Sequence, residues 1–156
     1  GLSTVPSPSN MIVCPVEVWE DLTGTIVERK ELLTDSGGAG KFRGGLGQQW
    51  SMRNDSDQSL TLSCFATRTE FPALGMLGGR NGSARSLQIN NKGVPPKGRY
   101  VLQPGDVLTL CDAGGGGFGN PAERDPNLVL QDIPSTTNTL HRLNIRTKST
   151  VVKILC

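Results

Sequence analysis

Three observations predict a mainly β domain, a sandwich or open barrel of short strands with glycine-rich loops and one short helix. Short runs of β-branched and apolar residues recur between clusters of Gly, Pro, Asn and Asp, the pattern of strands and turns. Twenty glycines and ten prolines stand among 156 residues, so loops take a large share of the chain. A single segment, Pro121 to Asp132, carries clear helix-start signals. Strand-like runs at this spacing correspond to roughly eight to ten short strands.

The length suits one domain with its own core. With 35% hydrophobic and only 4% aromatic residues, that core is expected to be modest and aliphatic. Sixteen basic against fourteen acidic residues leave a charge of +2, which argues against nucleic acid or an anionic membrane surface as partner. No apolar run approaches the roughly twenty residues of a membrane span, and no charged segment leads into an apolar one at the N-terminus. A soluble, cytoplasmic protein is the expectation. Cys14, Cys64, Cys111 and Cys156 lack Cys-x-x-Cys spacing and have only His141 for company, which excludes the usual zinc patterns. Cys14, Cys64 and Cys111 lie in apolar runs, where reduced, buried thiols are expected.

In chain order, residues 1–10 are rich in Ser and Pro and form an extended lead-in. Met11 to Trp19 reads as an edge strand around Pro15, and Thr25 to Leu33 as a partly exposed strand. Leu46 to Arg53 and Ser59 to Thr67 are expected to form a hairpin joined by Asn54-Asp-Ser-Asp-Gln58, with Leu60, Leu62 and Cys64 on its buried face. Phe71 to Gly82 is an apolar loop broken by glycines, which should cover the core or face a partner. Ser86 to Asn90, Tyr100 to Gln103 and Val107 to Cys111 are short strands, the last entered through the Pro104-Gly105-Asp106 turn. Asn120 caps the helix Pro121 to Asp132, with Pro121 and Glu123 in its first turn. Leu140 to Ile145 and Thr150 to Leu155 read as a last hairpin.

The chain reads as organised to present two glycine loops: Asp35-Ser-Gly-Gly-Ala-Gly-Lys-Phe-Arg-Gly-Gly-Leu-Gly47, and Gly114-Gly-Gly-Gly-Phe-Gly119. The first lacks the Gly-Lys-Ser/Thr ending of a P-loop, and the second lacks dinucleotide-fingerprint spacing. Two readings stay open. Nests of backbone N–H groups near Lys41, Arg43, Arg68 and Arg80 suit an anion or a carboxylate-bearing surface. Alternatively, the glycines permit tight packing of loops over a sheet, with Asp35 and Arg43 as an internal ion pair. His141, alone, supports no catalytic triad.

The series Pro15-Val-Glu17, Asp35 to Gly47, Arg68 with Phe71-Pro72 and Gly78-Gly79, Pro104-Gly105-Asp106, then Gly114 to Arg124-Asp125-Pro126 resembles the C-terminal region of the hydantoinase B/oxoprolinase family. The resemblance runs from about residue 10 to residue 133 and divides the chain into a lead-in (1–10), a β-rich module (11–133) and a divergent tail (134–156). Beyond Ile133, where relatives continue the helix, Pro134 stops it.

The resemblance implies a module of a larger subunit, with the metal ligands and most of the substrate site in an upstream part. It also implies a hydantoinase A-type ATPase partner, and ATP and a divalent metal for the whole enzyme but no cofactor on this segment. The implied chemistry is ATP-dependent opening of a cyclic amide, or a related carboxylation. No catalytic or metal-binding residue is assigned here. The candidate substrate or interface residues are Asp35, Ser36, Gly37, Gly38, Arg43, Gly44, Gly45, Arg68, Gly115, Gly116, Gly117 and Phe118.

Overall fold

A computed structural model describes residues 15–132. Helix α1 (Val16–Thr23) precedes β1 (Thr25–Leu32), β2 (Gln48–Asn54), β3 (Leu60–Phe65), β4 (Ser86–Ile89), β5 (Lys92–Gly93), β6 (Lys97–Leu102) and β7 (Val107–Cys111). A 3-10 turn (Pro121–Glu123) and α2 (Pro126–Asp132) follow. The strands form a five-stranded sheet in the order β1-β2-β7-β4-β5 and a two-stranded sheet, β3-β6, with all pairings antiparallel. The fold is mainly β, as predicted, and neither sheet closes into a barrel.

Met52, Leu87 and Leu108 of the larger sheet meet Cys64 and Leu102 of the smaller one in the buried core. Leu60 and Leu62 pack against it, so the period of two in β3 places its apolar face as expected. Cys64 and Cys111 are free thiols, and burial pushes the Cys64 thiol up, away from reactivity. Cys14, His141, Cys156, the lead-in and the last hairpin lie outside the described residues.

Three local expectations are corrected. Val16 to Trp19 belongs to a helix, not a strand. Pro15 opens α1, with its carbonyl taking the Trp19 N–H at 3.1 Å, and Gly24 closes it at φ 67° with its N–H on the Glu20 carbonyl. Trp19 then meets Trp50 edge-on at 6.4 Å, with Lys30 Nζ 4.1 Å above the Trp50 ring. Glu20 Oε1 accepts the Val27 N–H at the bulge in β1.

β2 and β3 are not a hairpin. β2 lies between β1 and β7, whereas β3 pairs with β6. The redirecting residue is Asn54, 1% exposed, whose Nδ2 donates to the carbonyls of Gln58 (2.9 Å) and Leu102 (3.1 Å). Its Oδ1 accepts from the Ser56 N–H and hydroxyl. One amide thus turns the chain and ties the end of β2 to β6.

The expected single helix is two pieces. Asn120 Oδ1 does cap the Ala122 N–H at 3.0 Å, but a residue before proline avoids the helical region, and Asp125-Pro126 interrupts the run. Asp125 Oδ1 accepts the Asn127 N–H and starts the second piece.

Asn54→Ala leaves the Leu102 carbonyl buried without this donor and is expected to lower the unfolding free energy by about 2–4 kcal/mol in urea titration; a loss under about 0.5 kcal/mol would contradict the tie.

Asn90 Nδ2 (2.8 Å) and the Gln103 N–H (2.7 Å) donate to Asp106 and hold its carboxyl below its ordinary value of 3.8. The folded state therefore binds this proton less readily than the unfolded chain. The contribution is complete above about pH 4 and is lost as pH falls through the lowered folded value. Asp106→Asn should flatten the acid arm of thermal midpoint against pH, and an unaltered slope would refute the role.

Candidate functional site

The strand register fixes where the glycine loops gather. Leu32 at the end of β1 faces Gln48 at the start of β2, and Cys111 at the end of β7 faces Gln49 and, on its other side, Ser86 at the start of β4. Loop one (residues 33–47), loop two (66–85) and loop three (112–120) therefore meet at one end of the larger sheet.

Ser36 closes the neck of loop one. It is 1% exposed, and its hydroxyl donates to the Leu33 carbonyl (2.6 Å) and accepts the Gly47 N–H (2.7 Å). Past this neck the loops bond through their backbones. The N–H groups of Gly38, Gly44, Gly115, Gly117 and Phe118 donate to the carbonyls of Gly115, Gly38, Gly45, Arg80 and Phe42, all within 2.9 Å. Loop two joins through the Arg80 N–H on Ala39 (2.7 Å) and the Ser83 N–H on Ser36 (2.8 Å).

The approach is too close for side chains. A Cβ on Gly114 would lie 1.8 Å from the Ser36 carbonyl oxygen, and one on Gly38 would lie 2.1 Å from that of Arg80. Tight loop packing is what the structure displays, and those five N–H groups are already donating to carbonyls within the assembly.

On top of this backbone lattice, Phe42 and Phe118 exchange both of their N–H···O bonds at 2.9 Å, with ring centroids 6.3 Å apart. Met76 flanks Phe118 on the other side as a parallel bridge, donating its N–H to Gly117 and accepting that of Gly119. The tip of loop one is clamped from the C-terminal side. Lys41 Nζ lies 3.4 Å from Glu123 Oε2 and Arg43 Nη1 3.3 Å from Asp132 Oδ1, while Arg124 Nη2 bonds the other Asp132 oxygen at 2.7 Å. Arg124 and Asp132 are nearly buried, at 9% and 12% side-chain exposure, so the pair is more than a screened surface contact.

Of the candidate residues, Ser36, Gly38, Gly44 and Gly117 are buried in the lattice, and Gly37, Gly45, Gly115 and Gly116 are half-buried within it. Asp35 is half-buried beside the neck at φ 57°. Arg43 is half-buried against Asp132, and Phe118 is exposed on top. Arg68 stands exposed at φ 61°, its carbonyl accepting the Arg85 N–H. Met76, Arg124 and Asp132 were not among the candidate substrate or interface residues. The apolar, glycine-broken run 71–82 was the signal for Met76, whereas a pairing between residues 43 and 132 has no local signature. Among the described residues, no group of three or more His, Cys, Asp or Glu side chains could hold a metal ion, and no helix is long and apolar enough to cross a membrane.

Two antiparallel sheets with a three-loop backbone assembly at one end define a mainly β module. The sequence profile of the Hydantoinase B/oxoprolinase family matches residues 1–121, and the chain belongs to that family. It is 37% identical over 123 residues to an uncharacterized protein of Methanocaldococcus jannaschii, covering 76% of this chain and 22% of that protein. It is 28% identical over 127 residues to the caprolactamase subunit beta of Pseudomonas jessenii, again covering 76% and 22%.

The crystal structure of the ATP-dependent caprolactamase of that organism superimposes with a TM-score of 0.70 at 25% identity, over 81% of this chain and 23% of the other. The nucleotide-free structure of acetone carboxylase shares the fold, with a TM-score of 0.68 at 20% identity over 86% and 23%. The chain thus spans about a fifth of the length of these relatives.

Gly114→Ala is expected to cost more than about 3 kcal/mol, because the Ser36 carbonyl it would meet is backbone and cannot yield without opening loop one. Gly93→Ala, with nothing within 4 Å of the added carbon, should stay within about 0.5 kcal/mol. Paired thermal unfolding checks both, and equal midpoints would refute the close-packed lattice.

Proposed function

We propose that this chain is the C-terminal module of a hydantoinase B/oxoprolinase-type subunit. In the whole enzyme it supports ATP-dependent hydrolysis of a cyclic amide of the hydantoin, 5-oxoproline or lactam type. The interlocked loops carry the reading: three loops bonded backbone to backbone present one close-packed surface, as a supporting module of a larger active subunit requires. Family membership and the likeness to an ATP-dependent caprolactamase support the reaction class. ATP, a divalent metal and the catalytic ligands belong, on this reading, to the remainder of the subunit and to a hydantoinase A-type ATPase partner.

A second reading, a purely structural or subunit-docking module, draws on the same lattice, because the N–H groups of Gly38, Gly44, Gly115 and Gly117 are bonded to loop carbonyls.

The test is turnover by the full-length subunit with its A-type partner and ATP, on caprolactam, hydantoin and 5-oxoproline, and on acetone with bicarbonate for the carboxylation variant. Hydrolysis of a cyclic amide is expected, and Gly38→Val should lower it at least about 100-fold by displacing loop two. Carboxylation of acetone alone would reassign the reaction. Absence of turnover on every substrate would overturn the enzymatic reading in favour of the docking module.

A further inference from the structure

Exposed apolar side chains gather on top of the glycine lattice. Phe42 is 58% exposed, Met76 63% and Phe118 44%, each contributed by a different loop and set side by side by the two isolated bridges. Leu74 and Leu77 on loop two are also exposed. The fully buried core cluster, in contrast, holds five residues. An apolar patch backed by hydrogen-bonded backbone is an interaction surface held in its bound shape beforehand, which lowers the ordering cost of association.

We propose that the Phe42–Met76–Phe118 face is the seat of the remainder of the same subunit, and not of the separable ATPase partner. This rests on the subunit reading above. Two observations favour that occupant. About four fifths of the length of the matched relatives lies outside the segment equivalent to this chain, so on the subunit reading a large body of polypeptide is covalently joined to this module and available to the face. The face also has the chemistry of a permanent contact. Its centre is aromatic and thioether, and the neighbouring charges of Lys41 and Glu123 neutralise each other at 3.4 Å. Permanent interfaces resemble a domain core cut in half, whereas separable ones keep the polarity of ordinary surface. The complementary surface is therefore aliphatic or aromatic and brings no unpaired charge to Phe118.

The full-length subunit with photoreactive benzoylphenylalanine replacing Phe118, and separately Phe42, tests the assignment in the presence of its A-type partner. Irradiation of a mixture of isotopically light and heavy subunits, followed by mass spectrometry, identifies the captured peptide. Capture of peptides from the same chain outside this segment is expected. Capture of the A-type subunit, capture of a second copy seen as mixed light–heavy pairs, or absence of capture at both positions overturns the proposal. Turnover measured on unsubstituted subunit prepared in parallel separates the two readings: an active enzyme without same-chain capture sinks the docking assignment alone, and same-chain capture in an enzyme inactive on every cyclic amide sinks the functional reading alone.

Discussion

Everything at the loop-bearing end of this molecule depends on backbone approaching backbone with no side chain between. A carbonyl oxygen where the Gly114 Cβ would stand, and another where the Gly38 Cβ would stand, mean that loops one, two and three share a single backbone network. The two-sheet core is small, and it serves mainly to hold β1, β2, β7 and β4 in the register that delivers the loop ends to one place. Ser36 then narrows loop one, and the Arg43–Asp132–Arg124 cluster fixes its tip from the far side. The strands supply position, the glycines proximity, and the charges closure.

How much of this could be seen in advance follows the range of the forces involved. Local signals were readable. The alternation in β3, the Pro104-Gly105-Asp106 turn into β7, the Asn120 cap and the two glycine clusters all stand where their residue types place them. Contests between local signals went astray. Val16 and Val18 favour a strand, yet Pro15 and Gly24, a helix start and a left-handed stop, decide for a helix. The turn-rich stretch 54–58 looks like a hairpin because its chemistry is that of a turn. Its destination depends on Asn54 reaching the Leu102 carbonyl, a contact across 48 positions that no window of sequence contains. The candidate site divides in the same way. The glycines were visible as a need of the backbone, but the carbonyls of Gly45, Arg80, Gly115 and Phe42 take their N–H partners from another loop.

Family membership gives this arrangement its setting. The alignments cover about three quarters of this chain and about a fifth of each relative. In the described segment the N–H groups of Gly38, Gly115, Gly117 and Phe118 donate across loops, and the most buried ionic group joins two elements of the fold.

The contribution of one residue from each loop to the Phe42–Met76–Phe118 face has a consequence for folding. Glycine loses more freedom on ordering than any other residue, so a lattice of glycines is entropically expensive until every strand of it is seated. Two seated loops cannot display the face, because the third aromatic or thioether group is then missing and the bridges around residue 118 are incomplete. Exposure of the finished face thus reports completion of folding across three distant stretches of chain, as a coincidence detector reports three inputs at once.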